Sequence, residues 1–240
     1  MNIAFFSDNY SMLQSCIRIL EHKNLKIKPT YFCSRFSNPI DFVDIPIKQI
    51  DIKLEYQNLI KEFDIIFSIH SKQIFPKELV EQVCCINLHP GYNPINRGWY
   101  PQVFSIIHGL DTGATIHEMD AELDHGPIIA RKKVKQNSWD TSLTLYSKIV
   151  EAELELFEET IESIINKTYT TISIQEEGNI FLKKDFNSLL EIDMQEIATF
   201  EVFINKLRAL THGTFKNAYF IDKETNKKVY INVQLKPEHE

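Results

Sequence analysis

An amide, an imidazole and a carboxylate stand at positions that could carry acyl chemistry: Asn87 and His89 within Asn-Leu-His-Pro-Gly and, further on, Asp124 within Asp-His-Gly-Pro-Ile-Ile. They stand at the ends of two apolar, strand-like runs, Cys84 to Leu88 for the first pair and Thr115 to Met119 with the turn after it for the third. Acyl transfer to an amine needs a donor for the developing oxyanion, a route for the amine's proton and a group that orients whatever carries that proton. An asparagine NH2 can serve the first need, a histidine the first or second, and an aspartate the third. No Ser or Cys nucleophile is called for. The competing role for three such residues is capping loops at strand ends.

A second chemistry is open to the same stretch. His70, His89, His108, His117 and His125, with Asp120 and Asp124, are residue types that bind zinc or iron in hydrolases. They form no compact ligand motif. The four cysteines, Cys16, Cys33, Cys84 and Cys85, have neither metal-ligand nor disulfide-framework spacing, and are expected to be reduced and structural.

The elements that must position these groups can be read from periodicity. Asn2 to Ser7 is expected as a strand, Ser11 to His22 as a helix and Leu25 to Cys33 as a second strand. The cycle recurs with helix Leu54 to Glu62, strand Asp64 to Ile69, helix Pro76 to Gln82 and strand Cys84 to Leu88. Such alternation implies an α/β fold, a Rossmann-like doubly wound and mostly parallel sheet. Asp140-Thr141-Ser142 caps a long helix to Lys167, with Leu143, Tyr146, Ile149, Val150, Leu154, Phe157 and Ile161 as its apolar stripe. Residues 168 to 190 read as a linker or irregular crossover. A short helix, Thr199 to Leu210, and two strand runs, Ala218 to Ile221 and Val229 to Leu235, follow. The division expected is a catalytic domain over 1–184 and a small helix-plus-hairpin extension over 185–240.

In open parallel sheets ligands bind beyond the carboxyl ends of the strands. Ser7 to Tyr10, His70 to Lys72, Asn87 to His89 and Asp120 to Asp124 all lie at expected carboxyl ends, and should converge on one cleft.

Bulk properties exclude several partners. The net charge of −7 argues against nucleic acid, which is bound through clustered Lys and Arg. No apolar run approaches the ~20 residues of a membrane span. With strand pattern from residue 2 and no basic leader or cleavage site, the chain is expected to be cytoplasmic.

The segments Ile86 to Gly91, Pro94 to Gly98, Gly113 to His117 and Asp120 to Ile129 together resemble the 10-formyltetrahydrofolate-dependent formyltransferases, a likeness that spans roughly residues 1 to 165. The resemblance implies Asn87, His89 and Asp124 as the catalytic trio and no metal. It implies folate against His70, Ser71, Lys72 and Gln73 and against Ala121, Glu122, Leu123 and Asp124, largely through backbone groups.

The acceptor can be ranked. The purine-pathway enzymes of this family, which formylate glycinamide ribonucleotide, carry a glycine-rich phosphate loop after the first strand; here that place reads Ser-Asp-Asn-Tyr-Ser, residues 7 to 11. The methionyl-tRNA enzymes follow the catalytic domain with an RNA-contacting barrel, whereas residues 185–240 hold seven Lys and Arg against nine Asp and Glu. The formyl-folate hydrolases carry an extra N-terminal domain before the first strand. The sugar N-formyltransferases remain, and His89 to Pro94, Arg97 to Tyr100, Leu207 to Gly213 and Asn217 to Phe220 resemble that subgroup. Gly91 departs from the more usual family Ser. The acceptor expected is a nucleotide-linked amino sugar such as dTDP-4-amino-4,6-dideoxyglucose, used in surface polysaccharide or O-antigen synthesis.

For that acceptor, Asn9, Tyr10 and Asn93 are expected at the cleft. Arg97 is expected on a diphosphate, with a surface ion pair as its competing role. Trp99, Tyr100 and Tyr219 are expected to stack on a base or sugar, against core packing, and Glu153 lies where the family contacts its acceptor. The alternative of another class is a non-catalytic sugar-nucleotide-binding protein. Val229, Ile231 and Val233 form one apolar face of the last strand, which either joins two copies in a homodimer or packs on the chain's own Thr199 to Leu210 helix.

Overall fold

The computed structural model describes residues 1–174 and 176–238. In chain order the elements are β1 (Ile3–Ser7), α1 (Tyr10–His22), β2 (Thr30–Ser34), β3 (Ile47–Ile50), α2 (Ile52–Glu62), β4 (Ile65–Ile69), α3 (Lys77–Gln82), β5 (Cys84–His89), β6 (Arg97–Gly98) and α4 (Pro101–His108). There follow β7 (Thr112–Glu118), β8 (Ile128–Val134), α5 (Ser142–Ile165), β9 (Ile180–Phe181), α6 (Lys183–Leu189), α7 (Phe200–Leu210), β10 (Tyr219–Ile221) and β11 (Lys228–Tyr230).

Seven strands form one sheet in the order β3-β2-β1-β4-β5-β7-β8. The first five are parallel, while β7 and β8 run antiparallel. β1 and β4 are buried at every residue because helices cover both faces, so their sequences are continuous apolar runs rather than alternating ones. The chain steps outward from β1 to β3 and then returns to β4 beside β1, which makes the carboxyl ends of β1 and β4 the switch point where a ligand crevice opens.

α5 closes one face. Thr141 caps it by accepting from the Thr144 amide, and Leu145, Ile149, Leu156, Phe157, Ile161 and Ile164 are buried along it. Phe157 meets Phe5 and Phe67 edge-on at 6.2 and 6.0 Å between ring centroids. The stripe differs in phase from the expected one: Leu143 is exposed, and Leu145 takes the core position. The four cysteines are free, and Cys16, Cys33 and Cys85 are buried.

Six elements lie outside the expected set: β3, β6, α4, β8, β9 and α6. β3 is a four-residue strand after Pro46, too short for a period to show. α4 is apolar nearly all round, but Pro101 at its first turn and Gly109 in the left-handed region at its end were available as signals. β8 carries Lys132 and Lys133 on the sheet's outer edge, a composition that suits an edge strand. The crossover at 168–190 contains β9 and α6. Conversely, strand begins at Thr30 rather than Leu25, after Pro29, which has no N–H for a ladder.

The extension packs back on the body. Ile231 joins the core beside Ala209, Leu210 and Ala218, and its amide donates to Ala218 O. The last strand's apolar face is therefore half-covered by its own chain, while Ile197, Phe200 and Ile204 stand exposed on α7 and the turn before it. No described helix is long and apolar enough to cross a membrane.

Candidate active site

β5 ends at His89, and its neighbour β7 runs the other way, so that Asn87 faces His117 and His89 faces Thr115. β7 therefore leaves the sheet beside Cys85, at the opposite edge from the cleft, where the Met119 amide donates to Cys85 O. Asp124 does not lie at a carboxyl end of the parallel set, as its place after an apolar run suggested. The loop after β7 turns back along β5 and delivers it there.

Three donors fix that carboxylate and its backbone. Asn87 Nδ2 donates to Asp124 Oδ1 at 2.9 Å, the Gly98 amide donates to Oδ2 at 3.0 Å, and Asn93 Nδ2 donates to the Asp124 carbonyl at 2.9 Å. Asp124 sits in the left-handed region, φ 49°, which Asp tolerates better than most residues. His89 Nδ1 is 3.5 Å from Oδ2. The three residues expected together from the sequence thus meet at Asp124, Asn87 by a hydrogen bond and His89 within ion-pair distance.

A fourth residue joins this cluster. His117 is buried, its Nδ1–H donates to Glu118 O at 2.7 Å, and so its Nε2 accepts from Asn87 Nδ2 at 3.2 Å. Burial lowers its pKa, with Asp124 working in the opposite direction. Both N–H groups of Asn87 are consequently occupied, one by Asp124 and one by His117. His89 Nε2, by contrast, is buried with no hydrogen-bond partner among the described residues. That atom is the free polar group of the cluster.

Gly91 explains how the His89 ring finds its place. A Cβ at position 91 would lie 2.3 Å from His89 Nε2, closer than side-chain atoms come, so a glycine leaves the space that the imidazole occupies. Thr115 holds the same turn, donating to Gly91 O at 2.7 Å and accepting from the Asn93 amide at 3.1 Å.

The cluster opens on a cleft of about 820 Å³ at the switch point, within the ~300–1,000 Å³ usual for small-ligand sites. Of the expected site residues, Asn9, Tyr10, His70, Ser71, Lys72, Gln73, Trp99, Tyr100 and Leu123 line it together with the trio. Several are also structural. Asn9 caps α1 through the Met12 amide, and Gln73 caps α2 by accepting from the Ile52 amide at 2.7 Å. His70 turns inward: Nε2–H donates to the fully buried Glu153 at 3.0 Å, leaving Nδ1 to accept from Asn9 Nδ2 at 3.2 Å.

Six expected residues do not line the cleft. Glu153 is sealed beneath His70. Asn93 is buried as a brace for Asp124. Arg97 is buried between the carboxylates of Glu122, at 4.0 Å, and Glu177, at 3.8 Å, so it stands as an ion-paired tie rather than a cleft group. Tyr219 sits on the hairpin, donating to Glu191 and covered by Lys228 at 3.9 Å from its ring centroid. Ala121 and Glu122 are exposed on the loop's outer side. Of the histidines raised as a metal set, His89 and His117 meet at Asp124 while the others lie apart: His70 pairs with Glu153, His108 stacks on Phe104, and His125 pairs with Asp120 at the surface.

The cleft also draws on residues that sequence reasoning passed over. Gln102 donates to Ser142, which contacts His212 Nδ1 at 3.0 Å, and Tyr146 reaches His70 Nδ1 at 3.1 Å. His212, Phe215 and Asn217 come from the C-terminal extension. The stretches containing His212 and Asn217 carry only a family likeness, and nothing in their local pattern says that they fold back over the cleft.

Residues 47–161 match the family described as formyl transferase, and residues 185–237 match the N-formyltransferase dimerization C-terminal domain. The chain is 45% identical over 205 residues to the dTDP-4-amino-4,6-dideoxyglucose formyltransferase of Mycobacterium tuberculosis, covering 83% of this chain and 87% of that protein. Its structure resembles a 4-N formyltransferase from Francisella tularensis, with a TM-score of 0.93 and 42% identity over 99% of this chain and 98% of that one. A sugar N-formyltransferase from Shewanella gives a TM-score of 0.93 at 35% identity, over 100% and 99% of the two chains.

Proposed function

The chain belongs to the formyltransferase family, in its sugar N-formyltransferase branch, and on that premise we propose that it moves a formyl group from 10-formyltetrahydrofolate to the amine of dTDP-4-amino-4,6-dideoxyglucose or a close relative. The observation that carries this reading is the Asn87–His89–Asp124 cluster with one free buried nitrogen, His89 Nε2, set in a cleft of ligand size.

The chemistry follows from those positions. The unprotonated amine nitrogen attacks the formyl carbon, the carbonyl oxygen becomes an oxyanion, the carbon–nitrogen bond to the folate breaks, and a proton moves from the amine to the folate nitrogen. His89 Nε2, as the unpartnered polar atom, meets the oxyanion. Asp124 takes up the amine's proton directly or through water, held at the correct angle by Asn87 and the Gly98 amide. Asn87 serves first as a brace for Asp124, because its second N–H is committed to His117. In this reading folate would lie along His70 to Gln73 and Leu123, and the sugar nucleotide along Tyr10, Trp99, Tyr100 and the wall of His212, Phe215 and Asn217, all of which line the cleft.

The acceptor assignment is supported by the 45% identity to the mycobacterial enzyme, which extends over 83% of this chain. The extension would join two copies through the exposed Ile197, Phe200 and Ile204, in keeping with the dimerization family that residues 185–237 match. Catalysis is expected where folate and nucleotide sugars are both found, in the cytoplasm, and its product would go to surface polysaccharide.

The test is direct. Protein mixed with 10-formyltetrahydrofolate and dTDP-4-amino-4,6-dideoxyglucose should yield sugar nucleotide heavier by one formyl group in the mass spectrum. His89→Ala and Asn87→Ala should each lower kcat on the order of a hundredfold or more. Binding of the sugar nucleotide without any transfer would instead favour a non-catalytic binding protein.

A further inference from the structure

Asp124 owes one of the two hydrogen bonds to its carboxylate to the Gly98 amide, and Gly98 is held by a segment remote from the trio in sequence. Residues 177–182 arrive from beyond α5 and lay β9 alongside β6, pairing Arg97 with Ile180 and Gly98 with Phe181. The Arg97 amide donates to Asn179 O at 3.0 Å and the Trp99 amide to Phe181 O at 2.8 Å. The approach at Gly98 is close: its φ is +95°, and a Cβ there would lie 2.3 Å from Phe181 O. Only glycine satisfies both conditions.

Asn179 fastens this contact with its side chain. Its Oδ1 accepts from the Asn96 amide at 3.0 Å, and its Nδ2 donates to Asn96 Oδ1 at 2.8 Å. Asn96 in turn donates through Nδ2 to Ser105 Oγ on α4 at 2.7 Å, so the pair ties the loop to a packed helix. Phe181 stacks on Phe104 of the same helix at 3.8 Å between centroids, 3° from parallel. Arg97, nine-tenths buried, stands between Glu177 of the segment and Glu122 of the Asp124 loop.

We infer that residues 177–182 are a strap that positions the Asp124 carboxylate through the Gly98 amide, and that Asn179 is the positioning residue that fastens it. The β6 segment is too short to hold its own geometry, and the strap removes the freedom that would let the Gly98 N–H swing away from Asp124. Misplacing a reacting group by about 1 Å costs up to roughly a hundredfold in rate, whereas ligand contacts made elsewhere in the cleft are untouched.

The test combines an exchange measurement with kinetics, the latter resting on the formyl-transfer reading. Arg97–Gly98 is the one Arg–Gly pair in the chain, so 13C-arginine with 15N-glycine labelling marks the Gly98 amide alone. In Asn179→Ala that amide should exchange at least about tenfold faster, and kcat should fall roughly ten- to a hundredfold with KM for the formyl donor nearly unchanged. Asn179→Asp keeps the acceptor for the Asn96 amide and should give an intermediate effect on both, and it decides the matter if the alanine variant does not fold. Unchanged Gly98 exchange overturns the inference whatever kcat does, as does faster exchange with unchanged kcat. If the parent protein transfers no formyl group, the activity reading fails, and Gly98 exchange alone then decides whether the strap acts on that amide.

Discussion

His117 shows how one buried group can matter to both fold and site. Burial holds its imidazole below the usual 6.5, favouring the neutral form that Asn87 needs as an acceptor. In the unfolded chain the same ring takes up a proton near 6.5, so between that value and its lower folded one the unfolded state binds more protons. Its contribution to stability is therefore complete above about 6.5 and is lost as pH falls below it. His212 is shifted the same way by burial and adds to the trend. Urea unfolding followed from pH 7.5 to 5 should show a decline in stability that is smaller in His117→Gln. Identical slopes in variant and parent would mean that His117 is not kept neutral. Gly91 matters differently, by absence: the space that a side chain there would take is filled by the His89 ring.

Among the elements, α5 does the most to hold the site in place. It covers the sheet with its apolar stripe, supplies Tyr146 to the cleft, and buries Glu153 beneath His70. Phe157 is fully buried where α5 crosses β1 and β4, the two strands whose ends form the crevice. Phe157→Ala should cost about 3–5 kcal/mol of stability, as measured by chemical denaturation. A much smaller cost would mean that α5 can settle into the gap, and that the crevice walls are not rigidly referenced to it. The short elements β6 and β9 act at closer range. They contribute little to the core, yet the Gly98 amide and Arg97 lie on them.

For the molecule as a whole, the catalytic body and the extension share the cleft, since His212, Phe215 and Asn217 complete the wall that α4 and α5 begin. The extension's other side bears Phe200 at 87% exposed and Ile197 at 98%, apolar surface that water disfavours. Replacing Phe200 and Ile204 together by Asp should convert a dimeric parent to a folded monomer by light scattering. These side chains make few contacts within the chain, so folding should survive. A parent that is already monomeric at micromolar concentration would remove the dimer from the proposal.

The sequence by itself determined the chemistry and the sheet class. Asn87, His89 and Asp124 could be picked out because residue type and local motifs mark them, and the structure brings them together. Four of the five parallel strands were legible because strands buried on both faces must be continuous apolar runs, and the half-exposed β3 was not. What only the tertiary structure decided is how distant segments meet. The reversal of β7 is a choice of partner, not of local propensity, and it set His117 against Asn87 and forced Asp124 to return by a loop. Arg97, Glu153 and Asn93 looked like ligand groups because charged and amide side chains favour water unless partners await them. The partners, Glu122 and Glu177, His70, and Asp124, come from other parts of the chain. Burial of a polar group depends on those long-range pairings, and no periodicity records them.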